Sequence, residues 1–409
     1  MKVEPEKRIV LLTQHFYPEI TSTGQLLTEL AEELKNNGFS ILTITRKHQK
    51  DKVQEQYKGI QIGRIRGTRF SKANIMGRLI NDFTFFWGAF FCLLQLKGSD
   101  ILFIVSNPPF LPFLGWLIKK LKKNRFVYLV HDIYPDIAVN LGVIKANGII
   151  QRIWDYFNQL ILTEASVTVV LGDCMQKVVS RKIKPGNGTF ATIPNWCDGE
   201  LVKPMNKLGD QFAVAHGLDK KYVVFYSGNL GLFQYLEAII YAAEALADYQ
   251  DILFLFVGEG GKKAKLEKMV KEKGLSNVKF LPYQDKSVMS HSYAAADVDI
   301  ITLEKGAEGL GVPSKLYTIM ASGRPIIALL GKDSEVSRVI AAAGCGYVLD
   351  QDNIEEFKNK ILHLYHDRQL GRTMGEKARG YFEKHFAKNI IINEYVFLFK
   401  QLFQKAQPI

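Results

Sequence analysis

Glu308-Gly-Leu-Gly-Val-Pro-Ser-Lys-Leu-Tyr-Thr-Ile-Met-Ala-Ser-Gly-Arg-Pro325 is the stretch from which the fold of this chain is read. It follows Val298–Leu303, an apolar run of strand length. Two glycines then lead to Pro313-Ser314, a pair that starts helices, and the predicted helix stops at Gly323. Strand, glycine turn and helix start in that order can receive a phosphate, because the first amides of a helix have no internal acceptor. The carboxylate of Glu308, just ahead of the turn, is suited to accept from hydroxyl groups.

Working outward, the same alternation recurs on both sides. In the first half, Arg8–Thr13 reads as a strand and Gly24–Asn37 as a helix. Leu27, Leu30, Ala31 and Leu34 fall at helical spacing, and Gly38 is the stop. Ile41–Thr45, Ile101–Val105, Phe126–Val130 and Val167–Val170 are nearly all apolar, as strands buried on both faces of a parallel sheet are. After a charged stretch near 199–220 a second series begins: Val223–Tyr226, Ile252–Val257, Val278–Phe280, Val298–Ile301, Ile326–Leu329 and Tyr347–Leu349. Two such series predict an α/β protein of two doubly wound, Rossmann-like domains facing across a cleft. The expected division is 1–200, 201–386 and a last helical segment within 387–409.

Bulk properties agree. A chain of 409 residues is long for one domain, and 47% hydrophobic with 23% charged residues is an ordinary globular balance. Cysteines 92, 174, 197 and 345 include no CxxC pair, which argues against a zinc site or disulfide frame and fits a reducing compartment. The N-terminal Met-Lys-Val-Glu-Pro-Glu-Lys-Arg has no signal-peptide core. Phe83–Leu96 is too short to span a bilayer, and prolines interrupt Ile101–Ile118.

Net charge is +12 and uneven: residues 1–200 hold 26 Lys and Arg against 17 Asp and Glu. Within 64–125, Arg64, Arg66, Arg69, Lys72, Arg78, Lys97, Lys119, Lys120, Lys122, Lys123 and Arg125 face only Asp82 and Asp100. Phe83, Phe85, Phe86, Trp87, Phe90, Phe91, Phe110, Phe113 and Trp116 are interleaved among them. Such a mixture fits lipid head groups or, less well, nucleic acid, while part of the aromatic set belongs to the core. The expected membrane-facing residues are Phe85, Trp87, Arg78, Lys119 and Lys120.

Further motifs lie where α/β sheets bind ligands, at strand C-termini. Gln14-His-Phe-Tyr-Pro-Glu-Ile-Thr-Ser-Thr-Gly24 links the first strand and helix, either as a site loop or as a capped turn. His131-Asp-Ile-Tyr-Pro-Asp136 places a histidine and two carboxylates at a strand end. There the alternative is a turn cap at Asp132 and a structural His131. Ser227-Gly-Asn-Leu-Gly231 permits close approach to a diphosphate, or is an ordinary turn. Gly258-Glu-Gly-Gly261 reads as a turn that shapes a floor. In Phe280-Leu-Pro-Tyr283, backbone at Leu281 could read a base edge while Tyr283 stacks; a simple proline turn is the other reading.

In this order the motifs, with Ile193-Pro-Asn-Trp-Cys-Asp198 and Tyr226-Ser-Gly-Asn229, resemble family-4 glycosyltransferases of GT-B fold. The resemblance extends over essentially the whole chain. It is nearest in look to bacterial transferases of colanic-acid and N-acetyl-L-fucosamine addition in surface polysaccharide assembly. It implies retaining transfer of an N-acetylated or deoxy hexose from a UDP-sugar to a polyprenyl-diphosphate-linked saccharide. No cofactor or metal is implied, and Asp297-Val-Asp299 is read as a helix end entering a strand. Implied partners are the UDP-sugar, the lipid-linked acceptor and the inner face of the cell membrane, with no nucleic acid. The last helix is implied to return to the first domain.

Carried over by residue, His131 lines the donor sugar, Glu308 binds its hydroxyls, and amides near Gly309–Gly311 meet sugar or diphosphate. Pro313, Ser314 and Lys315 form the phosphate-binding helix start, with Lys315 among the catalytic residues. Gly24, Ser227, Gly228, Asn229, Leu281 and Tyr283 complete the donor set. Two departures stand out. With seven residues between, where the family has a second Glu after Glu308, comes Leu316; aligned on the helix end, the position is Thr318, and Glu304 becomes a rival to Glu308. The family's Arg and Lys after the second domain's first glycine turn are replaced by Leu232-Phe-Gln234, which leaves the diphosphate charge to Lys315, helped by Lys305. A GT-B sugar-nucleotide epimerase and a non-catalytic partner protein are the competing classes.

Overall fold

The computed structural model describes residues 7–19, 21–48, 52–70 and 75–404. Ile20 of the first loop, Lys72 of the basic set, the N-terminal residues 1–6 and Lys405 lie outside the described residues. The chain divides into two compact units, Met1–Pro194 with Ile392–Ile409, and Asn195–Ile391.

The first unit is built on β1 (Arg8–Leu12), β2 (Ser40–Arg46), β3 (Gln54–Tyr57), β4 (Ile60–Ile65), β5 (Ile101–Val105), β6 (Arg125–Val130), β7 (Val167–Val170) and β8 (Phe190–Thr192). Their order in the sheet is β3-β4-β2-β1-β5-β6-β7-β8. Every pair is parallel except β3 with β4. β1, β5, β6 and β7 are buried along nearly their whole length, which explains their unbroken apolar runs. β3, β4 and β8 were not expected from sequence. β3 is polar and half exposed, and β8 has three residues, none fully buried.

The later part of the last helix, Lys388–Gln404, belongs to the first unit. Phe399 packs edge-on against Phe103 at 5.4 Å and Phe39 at 6.2 Å between ring centroids. Arg125 donates to the Leu402 carbonyl.

The second unit carries β9 (Tyr222–Ser227), β10 (Ile252–Val257), β11 (Val278–Leu281), β12 (Val298–Thr302), β13 (Ile326–Leu329) and β14 (Gly346–Leu349). The sheet is wholly parallel, in the order β11-β10-β9-β12-β13-β14. From β9 the chain winds one way to β10 and β11, then crosses over to β12 on the other side. The order therefore reverses between β9 and β12, and the C-terminal ends of these two strands flank the crevice where doubly wound sheets bind ligands.

The helix Ile75–Leu93 lies on the first unit and is sharply two-faced. Gly77, Asn81, Phe85, Ala89 and Leu93 point inward, whereas Met76, Ile80, Phe83, Trp87, Phe91 and the following Leu94 are exposed. This corrects one expectation: Phe85 is 1% exposed and belongs to the core, not to a membrane-facing surface. Three to four residues separate successive members of each stripe, so the helical period puts Phe83 and Phe85 on opposite faces. Phe85→Ala is expected to cost about 3–5 kcal/mol of stability. Phe83→Ser should change it by less than about 0.5 kcal/mol in the same urea titration.

Candidate functional site

The site of the second unit begins with two turns that pass backbone to backbone. Gly258 has φ +152°, and a Cβ there would lie 1.9 Å from the Gly228 carbonyl oxygen. At Gly260 a Cβ would lie 2.4 Å from the Leu230 carbonyl. Only glycine allows this approach. The turns are then laced together by Gly228 N–H to Val257 O, Leu230 N–H to Glu259 O and Lys262 N–H to Leu230 O. Gly258–Gly261 is thus a turn packed directly against Ser227–Gly231, which it pins.

Lys315 opens the helix Lys315–Ala321 after the glycine turn. Its stem is partly exposed, but its Nζ is enclosed and has no hydrogen-bond partner. The ammonium sits 3.4 Å from the centroid of the Tyr226 ring and within 3.3 Å of the space beside Gly228. The Tyr226 hydroxyl donates to Asn229 O at 2.9 Å, which fixes the ring and the turn together. Burial, opposed in part by Asp299, holds the Lys315 amine down at about 7. Ser314, Lys315, Ser227, Gly228 and Asn229 therefore come together at the reversal between β9 and β12.

Other expected donor residues take varied places. Glu308 Oε1 accepts from Gly331 N–H at 3.1 Å and Gln351 Nε2 at 2.9 Å, so the carboxylate is held at the β12 end. Its rival Glu304 is paired with Lys262 at 2.6 Å. Gly309 has φ +75°, Gly311 and Pro313 are half-buried, and Ser314 makes no capping bond with its side chain. Pro313 has no N–H, so the amides of that turn belong to its neighbours. Thr318 is half-buried on the same helix. The Leu281 carbonyl accepts from Gly258 N–H at 3.0 Å, while the Tyr283 ring is half exposed. Lys305, expected to help Lys315, is instead drawn to Asp352 and Asp350 at the surface. Asp297 accepts from Lys207 and from Val223 N–H at 2.8 Å, so it ties β9 down.

At the first unit's sheet edge, the N–H groups of His131 and Asp132 both donate to Ser106 Oγ, at 3.0 and 3.1 Å. Desolvation lowers the His131 imidazole to about 4 and raises the Asp132 carboxyl to about 6. His131 is therefore neutral at physiological pH. Gly24 lies in the first turn of the helix Ser22–Asn36 and donates to its Thr21 cap. Glu19 bridges His15, at 2.5 Å, and His48. Sequence reasoning passed over Asp82, which accepts from Gln14 Nε2 at 3.2 Å and is raised by burial. Its signal was a lone carboxylate in an aromatic helix.

Of the residues expected to face a membrane, Arg78 and Trp87 are exposed. Lys119 and Lys120 are at the surface but both pair with Glu164, at 3.0 and 2.6 Å. Arg64 is buried and bound to Glu55, so it is not part of that surface. Among the described residues no helix is long and apolar enough to cross a membrane.

Two parallel-sheet α/β units of this topology define the GT-B fold of glycosyltransferases. Residues 210–381 match the model for glycosyl transferases group 1, so the chain carries a domain of that kind and is a transferase enzyme. It is 29% identical over 253 residues to the probable glycosyltransferase WbjE of Pseudomonas aeruginosa, covering 62% of this chain and 63% of that protein. It is 27% identical over 410 residues to the putative colanic acid biosynthesis glycosyl transferase WcaI of Escherichia coli K12, covering 95% and 98%. Among solved structures, Anabaena Alr3699/HepE in complex with UDP and glucose superposes with a TM-score of 0.72 at 16% identity, over 96% and 99% of the two chains.

The His131 shift has a signed consequence. Between about pH 6.5 and 4 the unfolded chain binds a proton at His131 that the folded chain refuses, so stability falls as pH falls. Asp132 acts oppositely, stabilising below its unfolded value of 3.8 and losing that as pH rises through about 6. His131→Gln should flatten the loss of stability between pH 6.5 and 4, by at most roughly 3 kcal/mol, in denaturant titrations across that range.

Proposed function

We propose that this glycosyltransferase moves an N-acetylated or deoxy hexose from a UDP-sugar to a polyprenyl-diphosphate-linked saccharide, with retention, in surface polysaccharide synthesis. The observation that carries the donor half is the enclosed, unpartnered Lys315 ammonium beside the Ser227–Asn229 turn. A buried cation without a partner is costly unless an anion completes it. A diphosphate at the β9/β12 reversal would do so, and HepE, which shares the fold, has been seen with UDP and glucose. WcaI's description as a colanic acid transferase supports the polysaccharide setting.

In this reading the bond from the sugar C1 to the diphosphate oxygen breaks, and an acceptor hydroxyl bonds to C1 on the same face. The hydroxyl proton passes to the departing phosphate. Lys315 stabilises the charge that grows on that phosphate, the role a divalent metal serves elsewhere. Glu308, held by Gly331 and Gln351, receives the sugar hydroxyls. Neutral His131 orients groups rather than removing a proton as sole base.

UDP should raise the melting temperature of the protein more than GDP or dTDP does, because a ligand bound only by the folded state stabilises by mass action. Lys315→Ala should lose that shift, and at least about tenfold in transfer, while folding normally. Transfer by the wild type is expected to persist in EDTA. Unchanged transfer in Lys315→Ala would remove the assignment.

The acceptor half rests on the exposed stripe Met76, Ile80, Phe83, Trp87 and Phe91, with Arg78 beside it. An amphipathic helix of that kind lies in the interface of a bilayer, and basic flanks favour anionic lipid. Vesicle flotation should show binding to membranes containing anionic lipid that is weakened severalfold in the Phe83→Ser, Trp87→Ser double variant. Flotation independent of lipid would contradict it.

A further inference from the structure

The opposite edge of the second unit's sheet holds a cavity of about 900 Å³, within the size range of small-molecule sites. Tyr222 opens β9, Asp297 directly precedes β12 and Pro325 directly precedes β13, and all three line it. The cavity therefore sits where these strands begin. The Ser227–Asn229 turn lies where β9 ends, about 17 Å further along that strand. One wall is the helix Arg368–His385. A Cβ on its Gly375 would lie 2.1 Å from the Gly323 carbonyl oxygen, so only glycine lets this helix press on the turn before β13.

Seven Lys and Arg line the cavity against four Asp and Glu, and the cations are only partly satisfied. Asp297 is committed to Lys207 and to Val223 N–H, and it lies 3.5 Å from the Arg368 guanidinium, long for a charged hydrogen bond. Arg368 is held instead by aromatic faces, over the Tyr222 ring at 4.1 Å and the Tyr365 ring at 4.8 Å. Stacking occupies the face of a guanidinium and leaves N–H groups at its edge. Arg372, one turn along the same helix, and Lys220, just before β9, pair with no other group among the described residues. Asp367 caps that helix by accepting from Leu370 N–H, but its first turn has no acidic residue. Two arginines at the positive end of a helix dipole are unfavourable without a further anion. The Tyr222 hydroxyl and Arg324 Nε, both enclosed on the cavity wall, also lack hydrogen-bond partners among the described residues.

We propose that this cavity is a second anion site, separate from the donor crevice, which binds a small phosphate-bearing molecule through Arg368, Arg372 and Lys220. It does not depend on the donor-site reading. Guanidinium forks match phosphate oxygens in pairs, and an arginine already stacked on a ring loses little freedom on binding. The cavity is roomier than a lone phosphate needs, so a phosphate ester or a diphosphate is the class that fits.

The test is calorimetry with inorganic pyrophosphate in about 0.15 M salt, where weak surface attraction is screened. One protein is Lys315→Ala, which lacks the donor-crevice cation; the other adds Lys220→Glu and Arg372→Glu. Both added positions are exposed, so circular dichroism and urea unfolding should not change. Saturable binding to Lys315→Ala is expected, weakened at least about tenfold by the two reversals. No binding to Lys315→Ala, or binding that the reversals leave unchanged, overturns the proposal. Sulfate bound as tightly as pyrophosphate marks a diffuse charge patch and overturns it too. If Lys315→Ala does not fold, wild-type crystals soaked in pyrophosphate decide. Density against Arg368 and Arg372 is expected; density only at the Ser227–Asn229 turn, or none, overturns the proposal.

Discussion

The close passage of Gly258 over the Gly228 carbonyl governs the second unit. A Cβ on Gly258 would lie 1.9 Å from that oxygen, so any other residue must separate the turns after β9 and β10. Because they do not separate, the backbone of Ser227–Gly231 is fixed and Tyr226 is buried beneath it, its hydroxyl bound to Asn229. The Tyr226 ring then offers its face to the Lys315 ammonium at 3.4 Å. A steric demand at one glycine thus becomes an electrostatic feature on the other side of the sheet reversal.

That feature is costly to the free protein. The Lys315 amine and the Asp299 carboxyl are placed where water does not reach their polar ends. Stability alone would favour apolar residues at both positions. Their presence at the crevice where β9 and β12 part is the kind of local conflict that marks a functional site. The group 1 domain and the GT-B fold supply the reaction class. The conflict supplies the place within the second unit where a diphosphate would be stabilised.

Much of this was legible in the sequence because parallel strands announce themselves. β5, β9, β10 and β13 are nearly unbroken apolar runs, β1 and β6 are so after a leading Arg and β12 apart from Asp299, and all were expected. β3 and β8 were not, since a polar hairpin arm and a three-residue strand have no hydrophobic period to read. The spread of aromatic residues over 83–91 concealed which face of the helix was buried, so Phe85 was misplaced. Lys315 was legible from its position after Pro313-Ser314. Asp299 was seen only as half of an Asp-x-Asp spacing, because a sequence does not show whether a carboxylate finds a partner. Lys305 illustrates the reverse: a lysine near the site by sequence is drawn away by Asp350 and Asp352, from a different loop.

The most direct measurement is a crystal structure of the protein with UDP. The account predicts the diphosphate over the Ser227–Asn229 turn, with a phosphate oxygen within hydrogen-bonding distance of Lys315 Nζ. A structure with the diphosphate elsewhere, and Lys315 still unpartnered over Tyr226, would contradict it.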